Sequence, residues 1–338
     1  MGSYKVVVLG ATGAVGAEVL RILEQRRFPV GELKLLASPR SAGRKLRFNG
    51  ADVAIEAVSR EAFKGFELAF FAAGGNVSLE YAPAAAAAGC VVIDKTSAYR
   101  EDPEIPLIVP EVNPHHLPQY RKKGIISSPN CSTIPMVMVL KPIHEAAALR
   151  RVVVSTYQSV SGAGAAGMQD LEAQARAIVQ GKPIEKKKFA HQIAFNLIPQ
   201  IDSFLPDGST KEEAKMINES RKILDLPALR VSATTVRVPV YVGHSESVNV
   251  ETERALGADA TRALLSSAPG VKIIDDPSRA AYPMPVDCAG TDETFVGRLR
   301  EDPSVPHGLN MWLCCDNLRK GAALNAVQIA ELFISGRP

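Results

Sequence analysis

Short continuous apolar runs alternate with helical apolar patterns in the N-terminal part of the chain. The runs lie at residues 4–9, 33–37, 68–71, 91–94 and 107–109. They lack the alternation of a half-exposed strand, so they predict parallel strands that are buried on both faces. Helical spacing between them, including an alanine-rich segment at 78–88, predicts βαβ units and an open sheet.

The C-terminal part of the chain carries longer strands of a different character. Residues 151–160 and 231–240 each form a long strand-like run, and residues 246–252 and 294–299 look like antiparallel partners. Polar and helical segments separate these strands, which indicates a mixed or antiparallel sheet. We therefore predict an α/β fold class: a Rossmann-type dinucleotide-binding domain followed by an α+β domain with a mixed, largely antiparallel sheet.

A glycine-rich turn follows the first predicted strand and leads into the first predicted helix. Its pattern is GxxGxxG, formed by Gly10, Gly13 and Gly16. In a dinucleotide-binding turn, Gly10 makes the tight turn, Gly13 lets the backbone approach a pyrophosphate, and Gly16 allows close helix–strand packing. The spacing differs from GxGxxG, so the placement between strand and helix carries this prediction. The alternative is a glycine-rich turn without a ligand.

The end of the second predicted strand indicates which dinucleotide is bound. An acidic residue there would bind the ribose 2′-hydroxyl of NAD, but this chain carries Ser38, Arg40 and Ser41. Hydroxyls and a guanidinium suit a 2′-phosphate, so the predicted cofactor is NADP. The alternative is an exposed basic loop in which Arg44 and Lys45 contact nothing.

Cys131 lies at a second strand-to-helix junction, between the apolar run 124–126 and an apolar helical pattern. Ser132 and Thr133 are suitable cap residues for this helix, and Pro135 fits its first turn. A thiol at a helix N-terminus is close to the positive end of the helix dipole, which favours the nucleophilic thiolate. The alternative is that Cys131 is a small buried apolar residue.

Composition and charge narrow the class of protein. The 338 residues are 46% hydrophobic, with 39 Lys and Arg against 36 Asp and Glu, which argues against a nucleic-acid or membrane surface. The N-terminus has no secretory-leader pattern, and no apolar run reaches spanning length. The five cysteines, without CxxC pairs, predict neither a disulfide framework nor a metal site, so we expect a cytoplasmic enzyme. They are Cys90, Cys131, Cys288, Cys314 and Cys315.

Several segments, in family order, make the chain resemble the aspartate-semialdehyde dehydrogenase family. They are residues 10–16, Ser-Pro-Asn-Cys-Ser-Thr at 128–133, Tyr-Gln-Ser-Val-Ser-Gly-Ala-Gly at 157–164, Arg-Val-Pro-Val at 237–240 with Gly-His-Ser-Glu at 243–246, and Asp-Asn-Leu-Arg-Lys-Gly-Ala-Ala at 316–323. The resemblance covers essentially the whole chain, and the segments are specific when taken together. Together, the glycine-rich turn and the segment around Cys131 therefore point to a single enzyme family.

The resemblance implies a role for each site residue. Cys131 would be the nucleophile, Gln158 would orient the substrate, and His244 would be the general acid/base. Arg237 would pair with the substrate carboxylate. The other implied substrate contacts are Arg100 and Lys215 for phosphate, Glu212 in a Glu-x-x-Lys segment, and Asn130 beside the reacting carbonyl. The implied cofactor contacts are Thr12, Gly13, Ala14, Val15, Ser161, Gly162 and Asn317.

A reaction and a domain arrangement are also implied by the resemblance. The Cys131 thiolate would react with L-aspartyl 4-phosphate, phosphate would leave, and NADPH would reduce the thioester to L-aspartate 4-semialdehyde. This step would serve lysine, methionine and threonine biosynthesis, including the diaminopimelate branch. Residues 1–130, completed by a helix at 318–338, would form the NADP-binding domain. Residues 131–317 would form the catalytic and dimerisation domain of a homodimer or tetramer.

Two alternatives are open at this point. One is a reductase for another acyl phosphate, such as N-acetylglutamyl phosphate, which the sequence around Cys131 disfavours. The other is a catalytically silent paralogue that binds NADP as a structural or regulatory partner. Such a paralogue is expected to lack the cysteine, the histidine or the arginine, all of which are present here.

Overall fold

A computed structural model describes residues 3–336, which fold into two compact units. The first unit comprises the described residues up to Asn130 and those from Ala322 onward, and the second comprises Cys131–Gly321. The sequence predicts the return into the first unit at residue 318, four residues before the observed return at 322. Over residues 3–336, no helix has both the length and the apolar character needed to cross a membrane.

Thirteen strands and eight α-helices make up the two units over residues 3–336. The strands of the first unit are β1 (Tyr4–Leu9), β2 (Val30–Ala37), β3 (Lys45–Phe48), β4 (Ala51–Ala57), β5 (Leu68–Phe71), β6 (Val91–Asp94) and β7 (Ile125–Ser127). Those of the second unit are β8 (Leu149–Gln158), β9 (Arg230–Arg237), β10 (His244–Thr252), β11 (Val271–Ile273), β12 (Thr294–Asp302) and β13 (Gly308–Cys315). The helices are α1 (Ala14–Gln25), α2 (Gly75–Ala87), α3 (Thr133–Ala147), α4 (Ala165–Val179), α5 (Lys211–Ile223), α6 (Ala258–Ser266), α7 (Pro285–Cys288) and α8 (Leu324–Ile334).

The first unit is built on a seven-stranded sheet with β1 at its centre. The strand order is β3-β4-β2-β1-β5-β6-β7, and all neighbours run parallel except β3 and β4. Val6 and Val8 pack on one face with α1 and α8, whereas Val7 and Leu9 pack on the other face with α2. Burial on both faces explains why the β1 sequence does not alternate. The predicted Rossmann-type domain is confirmed.

The predicted strand at residues 107–109 is wrong. The pairing of Leu107 with Ser127 is an isolated bridge outside the strands. The reason is the Asn113 side chain, whose Nδ2 donates to the Leu107 carbonyl and whose Oδ1 accepts the Val109 N–H, both over 2.9 Å. An amide side chain thereby satisfies backbone groups that a neighbouring strand would otherwise bond.

The second unit is built on a six-stranded mixed sheet in the order β11-β12-β13-β10-β8-β9. The three central pairs are antiparallel, and the two outer pairs are parallel. This confirms the predicted mixed, largely antiparallel sheet. The expectation that residues 246–252 and 294–299 pair with each other is wrong, because β13 lies between them and is antiparallel to both.

Helices α3 and α5 cover one face of this second sheet, which we call the inner face. Residues 134–140 of α3 are all buried, and the Thr294 hydroxyl on β12 donates to the Met138 sulfur over 3.6 Å. At the other edge, α5 lies beside β9, where the Glu213 carboxylate accepts the Thr235 N–H over 2.9 Å. Side chains on the inner face are therefore shielded from solvent by these two helices.

Helix α5 begins with a capping box formed by Thr210 and Glu213. The Thr210 hydroxyl accepts the Glu213 N–H over 3.3 Å, and the Glu213 carboxylate accepts the Thr210 N–H over 2.7 Å. Replacing the buried Thr210 by alanine is expected to lower the free energy of unfolding by about 1–2 kcal/mol. Urea unfolding followed by circular dichroism measures this loss. Ser209→Ala removes a hydroxyl just outside the box, and an equal loss in both variants would contradict the capping role.

Candidate active site

The glycine-rich turn after β1 has the geometry that a dinucleotide phosphate needs. Gly10 has a φ of 89°, and a Cβ there would lie 2.7 Å from the Ala72 carbonyl carbon. A Cβ on Gly16 would overlap the Gly10 oxygen, so glycine lets α1 pack closely against the turn. Thr12 and Gly13 are exposed, and Gly13 is the N-cap residue of α1. The turn therefore offers the N–H groups of a helix N-terminus to a phosphate. Ala14 and Val15, which are also predicted to contact the cofactor, are the first two residues of α1.

Ser38, Arg40 and Ser41 lie immediately after β2, beside the glycine-rich turn. The Gly10 N–H donates to the Leu36 carbonyl over 2.8 Å, which joins the turn to the end of this strand. Ser38 and Arg40 are exposed, and Ser41 is half-buried in a one-turn 3₁₀ helix. The segment from 38 to 45 contains no carboxylate. Its hydroxyls and its guanidinium are therefore accessible to a 2′-phosphate, which fits NADP.

Arg100 and Asn130 are the predicted substrate contacts in the first unit, and both are buried. The Arg100 guanidinium donates to the Ser128 carbonyl over 3.0 Å and to the Lys95 carbonyl over 2.8 Å. The Lys95 ammonium donates to the Pro129 carbonyl over 3.0 Å. Two cationic side chains thus hold the segment that leads to Asn130, and Arg100 is a buried charge rather than a solvated one.

The strand register of the second unit brings several predicted site residues into one row. Arg237 on β9 lies opposite Gln158 on β8, and the β8–β10 register places Gln158 next to His244. His244 lies opposite Cys315 on β13, which lies opposite Thr294 on β12. Residues directly opposite one another point to the same face, so this inner row, Arg237-Gln158-His244-Cys315-Thr294, lies against α3 and α5.

Cys131 lies just before α3, and the Gly321 backbone packs closely against it. Ser132 occupies the N-cap position without capping through its side chain, and Pro135 lies in the first turn. Cys131 is half-buried, whereas the other four cysteines are buried. A Cβ on Gly321 would lie 3.1 Å from both the Cβ and the carbonyl oxygen of Cys131. A side chain at position 321 would therefore crowd Cys131, and glycine avoids this contact.

The Glu212 carboxylate links Gln158 to Lys215. Gln158 is buried, and its Nε2 donates to Glu212 Oε1 over 3.2 Å. The Lys215 ammonium lies 3.2 Å from Glu212 Oε2 and 2.8 Å from Asp202 Oδ2. Burial opposes the positive charge of Lys215, but the Glu212 and Asp202 carboxylates outweigh it and raise the pKa of the ammonium. The Lys215 side chain is therefore positively charged at neutral pH.

Arg237 is a buried cation that interacts electrostatically with Cys131. Its Nη1 donates to the Ser159 carbonyl over 2.7 Å. Burial lowers the pKa of the Arg237 guanidinium, while the nearby Cys131 sulfur and Glu212 carboxylate raise it. A guanidinium stays protonated in proteins, and a positive charge beside a thiol favours the thiolate. The surroundings of Cys131 therefore suit a nucleophile.

Arg237 and His244 converge on the space beside Gly162. A Cβ on Gly162 would lie 2.8 Å from Arg237 Nη1 and 3.1 Å from His244 Nε2. Both side chains are buried, so glycine at this position lets them lie close to the backbone of the loop that follows β8. A cation and an imidazole are thereby brought together, which is an arrangement suited to acyl transfer.

Asn317 is a buried polar centre next to the inner row. Its Oδ1 accepts hydrogen bonds from the Ser159 hydroxyl, the Ser161 hydroxyl and the Gly243 N–H, each over 3.0 Å. The Ser159 N–H in turn donates to His244 Nδ1 over 3.1 Å, and Ser159 Oγ lies 3.0 Å from the same nitrogen. Ser161 and Asn317, both predicted cofactor contacts, thus belong to the hydrogen-bonded surroundings of His244.

The predicted site residues divide between the two units. The second unit brings together Cys131, Gln158, Ser161, Gly162, Glu212, Lys215, Arg237, His244 and Asn317, whereas Arg100, Asn130 and the glycine-rich turn belong to the first unit. Sequence reasoning missed Ser159, Gly243 and Gly321. Each of the three lies inside a segment that carries the family resemblance, so the resemblance was a signal that could have found them. Their contacts within the site depend on strand register, which the sequence does not give.

Two family models and several curated proteins match this chain. Residues 5–120 match the model for the semialdehyde dehydrogenase NAD binding domain, and residues 140–320 match the one for the semialdehyde dehydrogenase dimerisation domain. The aspartate-semialdehyde dehydrogenase of Aquifex aeolicus is 54% identical over 98% of both chains. That of Bacillus subtilis is 50% identical over 96% of both chains.

Solved structures match over the same length. The crystal structure of aspartate semialdehyde dehydrogenase II from Vibrio cholerae, complexed with ASA, has a TM-score of 0.97 and 47% identity, and the match covers both chains completely. Aspartate semialdehyde dehydrogenase with NADP from Candida albicans has a TM-score of 0.75 and 25% identity, covering 98% of this chain and 99% of that one. The chain therefore belongs to the aspartate-semialdehyde dehydrogenase family.

Proposed function

We propose that this chain reduces L-aspartyl 4-phosphate to L-aspartate 4-semialdehyde with NADPH, releasing phosphate, in lysine, methionine and threonine biosynthesis. The observation that carries the proposal is the grouping of a half-buried thiol, a buried guanidinium and an imidazole: Cys131, Arg237 and His244. They supply a nucleophile, a cation that can bind a carboxylate, and a group that can donate or accept a proton. The proposed reaction needs all three. The substrate is taken from the full-length relatives.

NADP is the proposed cofactor. The glycine-rich turn supports pyrophosphate binding, and the basic, hydroxyl-rich segment after β2 supports binding of a 2′-phosphate. The Candida albicans relative was solved with NADP. When bound, NADPH supplies the hydride that brings a thioester to the aldehyde level. The proposed contacts are Gly10, Thr12, Gly13, Ala14, Val15, Gly16, Ser38, Arg40, Ser41, Ser161, Gly162 and Asn317.

Cys131 is the proposed nucleophile. Its thiolate bonds to the acyl carbon of the acyl phosphate, the bond from that carbon to the phosphate oxygen breaks, and a thioester remains. The N-terminus of α3 and the Arg237 guanidinium favour the thiolate. Asn130 is proposed to contact the reacting carbonyl, and His244 to handle the proton at the carbonyl oxygen. When the carbon–sulfur bond breaks after reduction, Cys131 returns to the thiolate.

The remaining polar side chains are proposed to bind and orient the substrate. Arg237 suits the substrate carboxylate, because a planar guanidinium can donate two parallel hydrogen bonds. Lys215 and Arg100 are proposed to bind the phosphate group. Glu212 contacts Gln158 and Lys215, so we propose that it holds both while binding the substrate, and that Gln158 orients the reacting group.

A homodimer formed through the second unit is proposed. Ten large hydrophobic side chains are exposed among residues 3–336, and nine of them belong to the second unit. Tyr157 and Trp312, with ring centroids 5.2 Å apart, lie on the sheet face away from α3 and α5. The family model that matches residues 140–320 is described as a dimerisation domain. An uncovered aromatic sheet face of this kind suits a second copy of the chain.

The cytoplasm is the proposed location. All five cysteines are free thiols. A half-buried, reactive cysteine such as Cys131 keeps its thiol in a reducing compartment, where disulfides are rare.

Phosphate-dependent reduction of NADP⁺ by L-aspartate 4-semialdehyde tests the proposal. The purified chain is expected to turn this substrate over, to require inorganic phosphate because phosphate releases the thioester in this direction, and to prefer NADP⁺ to NAD⁺. Turnover of N-acetylglutamate semialdehyde instead would identify a reductase for another acyl phosphate. Binding of NADP without turnover of either aldehyde would identify a silent paralogue.

A further inference from the structure

We infer that Ser159 and Asn317 hold His244 as a neutral imidazole with its proton on Nε2, and that His244 acts in this form as a hydrogen-bond donor to the reacting carbonyl oxygen. The inference rests on the proposed function, which gives His244 its place at that oxygen. Ser159 and Asn317 are positioning residues here, because they act on the reaction through the imidazole ring.

The Ser159 backbone N–H fixes the tautomer. It donates to His244 Nδ1 over 3.1 Å, and an N–H can donate only to a ring nitrogen that carries a lone pair. A neutral imidazole has one protonated nitrogen, so its proton is on Nε2. Ser159 directly follows β8, whose register fixes the neighbouring residue Gln158 beside His244. The donor is therefore part of the main chain, and substitution of the Ser159 side chain does not remove it.

Asn317 fixes the Ser159 hydroxyl and the backbone that carries His244. Ser159 Oγ lies 3.0 Å from His244 Nδ1, 2.9 Å from Ser161 Oγ and 3.0 Å from Asn317 Oδ1. Its one hydrogen rotates and can serve either Nδ1 or Oδ1, so the backbone N–H, whose hydrogen cannot rotate, decides the tautomer. The amide oxygen is an acceptor only, and it also receives the Gly243 N–H from the residue just before His244. One buried amide oxygen thus sets the positions of both partners of the ring.

A doubly protonated ring fits this environment poorly. A hydrogen on Nδ1 would point at the Ser159 N–H, which leaves two donors facing each other at 3.1 Å. The Arg237 guanidinium approaches the same space beside Gly162 and adds a positive charge. Glu246 lies two residues along the same face of β10, but burial raises the pKa of its carboxyl well above the ordinary range and so favours its uncharged form. None of these three groups favours an imidazolium.

A residue other than His244 supplies the positive charge that favours the Cys131 thiolate. The Arg237 guanidinium interacts electrostatically with the Cys131 sulfur, and α3 begins two residues later. An imidazolium is therefore not needed to form the thiolate, although a thiolate–imidazolium pair is the usual alternative in cysteine enzymes.

The proposed reaction balances without a net proton from His244. In the first step the thiolate displaces phosphate, which leaves with the electron pair of its bond to carbon. After hydride has reached the thioester carbon, the carbon–sulfur bond breaks, the carbonyl reforms, and Cys131 is again a thiolate. A donor at Nε2 can stabilise the negative charge on the carbonyl oxygen in both tetrahedral stages, and a proton that it passes to this oxygen returns to the imidazole when the carbonyl reforms.

Nitrogen-15 NMR of the resting protein tests the inference independently of turnover. The full chain is labelled at its six histidines, and the His244 signals are assigned by their loss in His244→Asn. At neutral pH, without substrate or cofactor, Nδ1 is expected in the range of a lone-pair nitrogen and Nε2 in the range of a protonated one. A protonated Nδ1, in the other tautomer or in an imidazolium paired with Cys131, would overturn the inference. Because no reaction is followed, the result does not depend on the proposed substrate.

Two variants separate the contributions of the positioning residues. Asn317→Asp keeps the shape but adds a negative charge, so it is expected to populate the imidazolium in the NMR spectrum and to lower kcat by about 10- to 100-fold. Ser159→Ala keeps the backbone N–H, so the tautomer is expected to persist while kcat falls by about 10-fold or less. NADP affinity, measured in parallel, separates these effects from a loss of cofactor binding.

The matched control is Ser245→Ala. Ser245 is a buried residue next to His244 on the opposite face of β10, where its hydroxyl contacts Cys314. Its removal is expected to change neither the His244 spectrum nor kcat. If Asn317→Asp leaves the His244 spectrum identical to that of the parent, Asn317 does not position the ring.

Discussion

Replacing Cys131 by alanine is expected to abolish the phosphate-dependent reduction of NADP⁺ by L-aspartate 4-semialdehyde, lowering kcat by about 10⁴-fold or more. Without the sulfur no thioester can form, and the route has no other covalent intermediate. NADP affinity is expected to stay unchanged, because Cys131 is not one of the proposed NADP contacts, most of which lie in the other unit. The formation of NADPH followed by absorbance, together with equilibrium binding of NADP, measures both quantities.

The other cysteines are not expected to replace Cys131. All four are buried, and burial raises the pKa of Cys90 to about 11 and that of Cys315 well above its ordinary range. Cys131 is half-buried and close to the Arg237 guanidinium, which favours its thiolate. Iodoacetamide at neutral pH is therefore expected to label Cys131 first, and the loss of activity should follow that labelling.

Cys90→Ala is the matched control for this experiment. It removes a buried thiol from the first unit, where the sulfur contacts two backbone carbonyls, and it is expected to keep the parent kcat. Cys131→Ser preserves the size of the side chain, yet a serine hydroxyl is far less acidic than a thiol, so this variant should be about as inactive as the alanine one. If Cys131→Ala kept kcat within about 10-fold of the parent, the thioester route would be wrong.

Replacing Arg237 by lysine is expected to lower kcat/KM for L-aspartate 4-semialdehyde by about 10²- to 10³-fold. The guanidinium is buried, and one of its nitrogens already donates to the Ser159 carbonyl over 2.7 Å. Its planar shape lets the other nitrogens bind a carboxylate at the same time, whereas an ammonium on a flexible stem cannot do both. Most of the loss is expected in KM, because the carboxylate is bound in the ground state as well as in the transition state.

The aldehyde 3-aminopropanal, which lacks the carboxylate, shows whether Arg237 binds that group. The parent is expected to use it poorly, and Arg237→Lys is expected to cause little further loss with it, since the group that Arg237 would bind is already missing. An equal loss on both aldehydes would instead mean that Arg237 acts through the structure. Arg230→Lys, an exposed change at the other end of β9, is the matched control and should leave both rates unchanged.

The locally encoded parts of the candidate site could be predicted from the sequence. The glycine-rich turn lies between a strand and a helix as expected, because a short apolar run, three glycines and a helical pattern are all adjacent in the chain. Cys131 likewise lies at the start of a helix, with Pro135 in its first turn. Each of these features depends on residues within a few positions of one another, which is the range over which sequence patterns are informative.

The parts that depend on strand register could not be predicted. Nothing in the local sequence places Asn317 against Ser159, which is 158 positions away. Residues 294–299 have the character of a strand, but their pattern does not say that β13 is their neighbour. In both cases a tertiary contact supplements local preference. The apolar run at 107–109 is a different case: it looks like a strand, yet the side chain of Asn113, only four to six positions further along the chain, satisfies its backbone.

The inner row has a consequence for the folding chain. Its members come from positions as far apart as 158 and 315, and each belongs to a different strand, so the row forms only after long loops have closed. Cys131, by contrast, is present as soon as its own helix forms. A newly made chain therefore carries this cysteine before Arg237 is in place to activate it. The Cys131 thiol is therefore less reactive toward oxidants and alkylating agents in the newly made chain than in the folded protein, where the Arg237 charge favours the thiolate.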